Sequence, residues 1–251
     1  MKVLAIGNSF SEDATYYLHQ IAAADGVDMR VVNLYIGGCG LERHWRNIVS
    51  DAPDYLLEEN GRSTDRYVSI AQAVAMDAWD VIVTQQASPD SGLPETYHPW
   101  LERLAGWLRE RAPRAELLLH QTWAYEIDSL HPDFPRYGQD QREMYRRLSE
   151  AYREAAAAIG ARLIPCGDAV QALRRKPPFL YERGGMSLCR DGFHMNVIYG
   201  RYLLAATWYR ALTGRPVASN AYMPRTSLAP HAPCREELLR VVRETVDSLA
   251  L

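Results

Sequence analysis

The chain has 251 residues, 47% of them hydrophobic and 24% charged, and its formal net charge is -3. A chain of this length and composition can bury a sizeable core, as one large domain or two small ones. Acids balance the basic residues, and the longest basic block is Arg174-Arg175-Lys176, so binding to nucleic acid is not expected.

Several other classes of protein are disfavoured by the same survey. No apolar run approaches the roughly 18 residues of a membrane span, and Gly7-Asn8 interrupts the first apolar run too early for a signal peptide. If this is the whole gene product, we expect a cytoplasmic protein. The four cysteines form no C-x-x-C pair, so we expect free thiols and no disulfides. The histidines form no H-x-x-x-H or H-E-x-x-H pattern, so we do not expect a metal-dependent hydrolase, and we expect no cofactor.

The chain opens on a short apolar stretch followed by a turn. Residues 3–6, Val-Leu-Ala-Ile, predict a buried strand that ends at Gly7-Asn8-Ser9, and a helix is predicted from Ser11. Ser9 then lies between a strand end and a helix start, where open α/β sheets bind ligands and backbone N–H groups stabilise negative charge. This placement suggests a nucleophile, although such junctions are rich in serine for purely conformational reasons as well.

Hydrophobic runs and the helical spacing of apolar residues predict the later elements. The polar, acidic residues 50–65 predict a surface loop or a strand excursion. Further strands are predicted over residues 29–36, 80–86, 116–120 and 161–165. Helices are predicted from Ser11 to about Gly26, from Leu41, and over residues 65–78, 97–111, 140–159, 196–212 and 233–249.

Strands and helices therefore alternate five times, with connections long enough for parallel strand pairing. This alternation predicts an α/β protein with three layers, in which a doubly wound sheet lies between helices. We expect residues 1–251 to form a single domain, with residues 215–251 as a C-terminal helical extension. That extension could be a lid, an oligomer contact or a strap across the sheet, and the oligomeric state is left open.

A second motif follows the fifth predicted strand. In Asp191-Gly192-Phe193-His194 the acid stands three residues before the histidine, and a turn at Gly192 can place the carboxylate against the imidazole Nδ1. A serine nucleophile needs this pair, because a hydroxyl attacks only when a base takes its proton and a carboxylate orients that base. Taken alone, a histidine near a helix start is equally consistent with a solvated cap residue.

Together, these motifs resemble those of the SGNH (GDSL-like) hydrolase family. Gly7-Asn8-Ser9 is similar to its first block, with Asn8 where aspartate is more frequent, Gly38 falls in the second block, and Asp191-x-x-His194 is similar to the last. The resemblance implies a flavodoxin-like sheet of five parallel strands and hydrolysis through an acyl-serine intermediate. It further implies Ser9 as nucleophile, His194 as base and Asp191 as the residue that orients His194.

The third block of that family, Gly-x-Asn-Asp, is missing. After the third predicted strand this chain has Gln85-Gln86-Ala87-Ser88, which is typical of a bacterial branch of the family. A glutamine amide can donate the hydrogen bond that the family's asparagine donates to the oxyanion, so we assign this role to Gln86, with Gln85 as the rival. The backbone N–H groups of Ser9 and Gly38 would complete the oxyanion hole.

The predicted activity is that of a metal-independent serine esterase, with an acetylated carbohydrate as the expected small-molecule substrate. Aromatic and polar side chains on the loops of the active side suit a sugar ring. The alternative is a flavodoxin-like module that binds a nucleotide or a flavin at residues 7–11 without hydrolysis. The candidate substrate-binding residues are Gln85, His120, Trp123 and Tyr125, with Trp45 and Tyr97 on neighbouring predicted loops.

Overall fold

A central sheet organises the structure, a computed structural model that describes residues 1–225 and 233–250. In this part of the chain the sheet has seven strands, in the order β4-β3-β2-β1-β5-β6-β7. The strands are β1 (Lys2–Gly7), β2 (Arg30–Tyr35), β3 (Tyr55–Glu59), β4 (Arg62–Val68), β5 (Val81–Thr84), β6 (Glu116–His120) and β7 (Arg162–Ile164).

The prediction of a sheet of five strands is wrong, because this sheet has seven. Strands β2, β1, β5, β6 and β7 pair in parallel, whereas β3 and β4 form an antiparallel hairpin beside β2. The hairpin occupies residues for which a surface loop or a strand excursion, and then the start of a helix, were expected. Strand β4 is an edge strand whose side chains mostly face solvent, so its sequence lacks the apolar run by which a buried strand is recognised.

The described helices are more numerous and partly shorter than predicted. The first predicted helix is divided in two, and the helix expected from residue 65 begins only at Ile70, after a capping box formed by Ser69 and Gln72. The helices are α1 (Ser9–Thr15), α2 (Leu18–Ala24), α3 (Leu41–Ser50), α4 (Ile70–Ala75), α5 (Trp100–Arg111), α6 (Gln141–Ile159), α7 (Cys166–Leu173), α8 (Tyr199–Thr213) and α9 (Glu236–Asp247).

Helix α6 shows how local sequence and tertiary packing agree. Asp140 caps its first turn by accepting hydrogen bonds from the backbone N–H groups of Arg142 and Glu143, and Gly160 ends it with a positive φ of 59°. The buried face carries Tyr152, whose hydroxyl accepts a hydrogen bond of 3.1 Å from the backbone N–H of Gln86. The most regular helix of the chain thereby supports the loop that follows β5.

Part of the predicted C-terminal extension packs against α8. The Arg243 guanidinium in α9 donates to the hydroxyl of Tyr202, and Arg210 donates to the carbonyl of Val246. Residues 226–232 of the extension lie outside the described residues. Among the helices described, none combines the length and the apolar character that crossing a membrane requires.

The register of the parallel strands brings their carboxyl ends to one edge. Gly7 at the end of β1 lies opposite Tyr35 at the end of β2, and Ile6 lies opposite Thr84 of β5, which in turn lies opposite Leu119 of β6. The loops that follow these four strands therefore start side by side. They are the loops that carry most of the candidate site residues.

Candidate active site

The structure brings together three of the predicted residues at this edge. Ser9 is the first residue of α1, and its Oγ lies 2.8 Å from Nε2 of His194, 185 positions later in the chain. The other ring nitrogen of His194, Nδ1, lies 2.7 Å from Oδ2 of Asp191. Hydroxyl, imidazole and carboxylate thus form one continuous hydrogen-bonded chain.

A tight turn holds Asp191 against the imidazole. Its Oδ1 accepts hydrogen bonds from the backbone N–H groups of Phe193 and His194, at 3.2 and 2.8 Å. Gly192 adopts a φ of 88°, which is costly for residues with a side chain, and it packs closely against Ser129. Partial burial raises the pKa of Asp191, but the hydrogen bonds from His194 outweigh it and keep this pKa below its ordinary value.

Asn8 joins the loop after β1 to the loop after β2. Its Oδ1 accepts a hydrogen bond from the backbone N–H of Phe10 and caps α1, while its Nδ2 donates to the carbonyl of Cys39 at 2.9 Å. Within residues 1–225 and 233–250, the backbone N–H groups of Ser9 and Gly38 donate no hydrogen bond to another backbone group. Both groups therefore remain available to a ligand.

The side chain of Gln86 does not have the role that was predicted for it. Its Nε2 donates to both the carbonyl and the hydroxyl of Thr96, at 2.9 and 3.1 Å, and its Oε1 accepts from the backbone N–H groups of Leu41 and Ala87. The amide nitrogen is thus engaged away from Ser9. Glutamine is one methylene longer than the family's asparagine, which allows the amide to reach Thr96 and to tie the loop after β5 to the start of α3.

The predicted substrate-binding residues are also placed differently from the expectation. Gln85, His120, Trp123 and Tyr125 are all fully buried, so none of them offers a surface to a substrate. We had expected these residues to lie on loops exposed to a substrate, but segments distant in the sequence cover them. Trp45 lies in α3 beside Arg103, and Tyr97 is buried with its hydroxyl donating to the carbonyl of Ser91.

Trp123 nevertheless contacts both halves of the candidate site. Its indole N–H donates to the carbonyl of Phe193, the neighbour of His194, at 2.7 Å. Its ring stacks on Phe10, the neighbour of Ser9, with the ring centroids 4.1 Å apart. Trp123 therefore packs between the segment that carries Ser9 and the segment that carries His194, and it is buried instead of being exposed to a substrate.

Asp13 is a residue that the sequence analysis missed. It is fully buried one turn after Ser9, and its carboxylate accepts hydrogen bonds from Arg190, from Arg201 and from the backbone N–H of Met195. These contacts tie α1 to the segment that carries His194 and to α8. In the sequence, Asp13 is one of two adjacent acids at the start of a predicted helix, where acids are common, and no local pattern indicates its arginine partners.

The described residues contain no group of three or more His, Cys, Asp or Glu side chains placed to hold a metal ion.

The fold is that of the SGNH hydrolases, an α/β fold with a mostly parallel sheet flanked by helices. Similar solved structures include the acetylxylan esterase Axe2 from Geobacillus stearothermophilus, with a TM-score of 0.53 and 16% identity over 84% of this chain and 94% of that one. A lipase/acylhydrolase from Enterococcus faecalis has a TM-score of 0.54 and 18% identity over 85% of this chain and 96% of that one.

The chain belongs to the DUF4886 family, described as a domain of unknown function, whose profile matches residues 2–234. A DUF4886 family protein from Bacteroides uniformis ATCC 8492 is 38% identical over 98% of this chain and 93% of its own length, with a TM-score of 0.89. The comparison with curated proteins found no match.

Proposed function

We propose that this protein is a metal-independent serine esterase that acts through an acyl-serine intermediate. The observation that carries the proposal is the hydrogen-bonded chain from Ser9 Oγ through the His194 imidazole to the Asp191 carboxylate. A serine hydroxyl is a weak nucleophile without such a base, and the base is effective only when it is oriented. The SGNH fold supports the same reaction class by analogy.

In the proposed mechanism His194 Nε2 takes the proton of Ser9 as the oxygen attacks the ester carbonyl carbon. The Asp191 carboxylate accepts a hydrogen bond from Nδ1–H of His194 and stabilises the imidazolium that forms. The backbone N–H groups of Ser9 and Gly38 donate to the oxyanion. His194 then protonates the departing alcohol, which leaves the acyl group on Ser9. In the second half of the reaction His194 deprotonates a water molecule, which attacks the acyl-serine ester, and the proton returns to the Ser9 oxygen as the acid leaves.

The alternative role as a nucleotide- or flavin-binding module has less support. It requires the Ser9 loop to receive a phosphate, whereas the Ser9 hydroxyl is hydrogen-bonded to an imidazole that a carboxylate orients. A fluorophosphonate that labels Ser9, together with a purified protein that carries no chromophore, would reject this alternative.

The proposed substrate is an acetyl ester on a carbohydrate. Support comes from the similarity in fold to an acetylxylan esterase. We expect faster release of acetate from acetylated xylo-oligosaccharides, and from p-nitrophenyl acetate, than release of longer acids from p-nitrophenyl butyrate or octanoate. Comparison of kcat/KM across this series tests the proposal, and a preference for the octanoate would reject it.

We expect Asp191→Asn to lower kcat by about 10³- to 10⁴-fold, because the neutral amide does not stabilise the imidazolium. Because the pKa of Asp191 is lowered in the folded protein, its stabilising contribution is fully present above the ordinary aspartate pKa of about 3.9. This contribution is lost only as the pH falls through the lower pKa of the folded state.

The control for this variant is Asp128→Asn, which changes a surface carboxylate that accepts a hydrogen bond from the Tyr181 hydroxyl. It should retain wild-type kcat. Equal losses in both variants, or an Asp191→Asn enzyme within threefold of the wild type, would contradict the role of Asp191.

A further inference from the structure

We propose that Gln85 and His120 are positioning residues that hold Asn8, and through it the two backbone N–H groups of the oxyanion hole, in place. This inference rests on the proposed esterase function and deepens it. Both side chains are fully buried, Gln85 in the loop that follows β5 and His120 as the last residue of the neighbouring strand β6. They act through Asn8 and do not touch the substrate.

Three consecutive hydrogen bonds join the loops of four adjacent strands. His120 Nδ1 lies 2.8 Å from Oε1 of Gln85, and Nε2 of Gln85 donates to Oδ1 of Asn8 at 2.7 Å. Asn8 Nδ2 completes the chain by donating to the carbonyl of Cys39 at 2.9 Å. The chain therefore runs from the end of β6, past β5 and β1, to the glycine-rich loop after β2.

Only one orientation of these groups satisfies every contact. The Cys39 carbonyl can only accept, so Asn8 must present its nitrogen there, and its oxygen must face Gln85 and the backbone N–H of Phe10. Gln85 must then donate to Asn8, which leaves its oxygen facing His120. Since that oxygen accepts, the proton of His120 resides on Nδ1.

The protonation state of His120 agrees with this orientation. Complete burial lowers the pKa of His120 to about 3, so the ring is neutral at physiological pH and carries a single proton. That proton is the one donated to Gln85. Nε2 is correspondingly unprotonated, and within the described part of the chain it has no hydrogen-bond partner.

The oriented chain controls the two groups that the proposed mechanism needs. Asn8 immediately precedes Ser9 and caps the first turn of α1, so its rotation would move the Ser9 N–H. The Cys39 carbonyl that it holds is in the residue next to Gly38, whose φ of 64° is the left-handed conformation that glycine favours. Displacement of an oxyanion donor by about 1 Å can cost on the order of 10²-fold in rate.

Three variants test the proposal. Gln85→Met and His120→Leu fill a similar space without hydrogen bonds, whereas His120→Asn places an amide nitrogen near the position of Nδ1. The measured quantity is kcat on p-nitrophenyl acetate per Ser9 labelled by a fluorophosphonate, which removes the effect of unfolded protein. We expect the first two variants to lose about 10- to 100-fold in kcat with little change in KM, and His120→Asn to recover most of the loss.

A fourth variant tests the direction of the hydrogen bonds in the chain. Asn8→Asp keeps the shape and matches the residue more frequent in similar motifs, but a carboxylate cannot donate to the Cys39 carbonyl. We expect it to lose kcat per labelled Ser9 to the same extent as Gln85→Met.

The matched control is Gln121→Met, which removes another fully buried glutamine whose amide contacts Asp168 instead of Asn8. It should lower the melting temperature but leave kcat per labelled Ser9 unchanged. Wild-type kcat in Gln85→Met and His120→Leu, or no recovery in His120→Asn, would overturn the proposal. Activity that survives Ser9→Ala would instead overturn the esterase mechanism, so the two failures are distinguishable.

Discussion

Replacement of Ser9 by alanine should lower kcat on p-nitrophenyl acetate by about 10⁴-fold or more. The variant removes the oxygen that lies 2.8 Å from His194 Nε2, and with it the covalent intermediate. Loss of a triad nucleophile leaves only the rate that binding and the oxyanion donors provide. KM should change little, because the hydroxyl contributes little to ground-state binding.

The control for this variant is Ser11→Ala, in the same helix. The Ser11 hydroxyl is buried and donates to the carbonyl of Asn8, so it is not available as a nucleophile. Mass spectrometry after fluorophosphonate treatment should find the label on Ser9 in the wild type and in Ser11→Ala, and no label in Ser9→Ala. A label on Ser11, or undiminished hydrolysis by Ser9→Ala, would refute the assignment of the nucleophile.

Asp13→Asn should have the second largest effect, on stability and activity together. The neutral amide leaves two arginines, Arg190 and Arg201, without the buried carboxylate that both contact. Removal of one partner from a buried ion pair costs about 3–5 kcal/mol, because the remaining charge is left uncompensated. The backbone N–H of Met195 loses a charged acceptor at the same time, so the segment that carries His194 is held less firmly against α1.

Urea denaturation followed by circular dichroism measures the loss of stability, and kcat per labelled Ser9 measures the displacement of His194. Asp25→Asn is the matched control, since Asp25 pairs with Arg215 near the surface and should affect both quantities far less. If Asp13→Asn unfolds at the same urea concentration as the wild type, the buried carboxylate does not have the stabilising role inferred here.

The parallel part of the sheet could be predicted because its strands are recognisable from local sequence. A strand covered on both faces is an apolar run, as in residues 81–83, and the turn residues that follow it mark its end. Strand β4 carries no such run, since one of its edges and most of its side chains face solvent. Its pairing with β3 passes through Asn60-Gly61, a two-residue hairpin turn with a positive φ at both positions, which is a local signal that was not recognised from the sequence.

The sequence by itself determined the residues of the candidate triad, since Ser9 follows a strand and the Asp191-x-x-His194 turn is complete within four positions. Only the tertiary structure decided what surrounds them. Burial of His120 and Trp123, and the contacts of Asp13 with Arg190, join segments that lie far apart in the chain. Burial and ion pairing depend on which distant segment covers a side chain, and no local pattern encodes that.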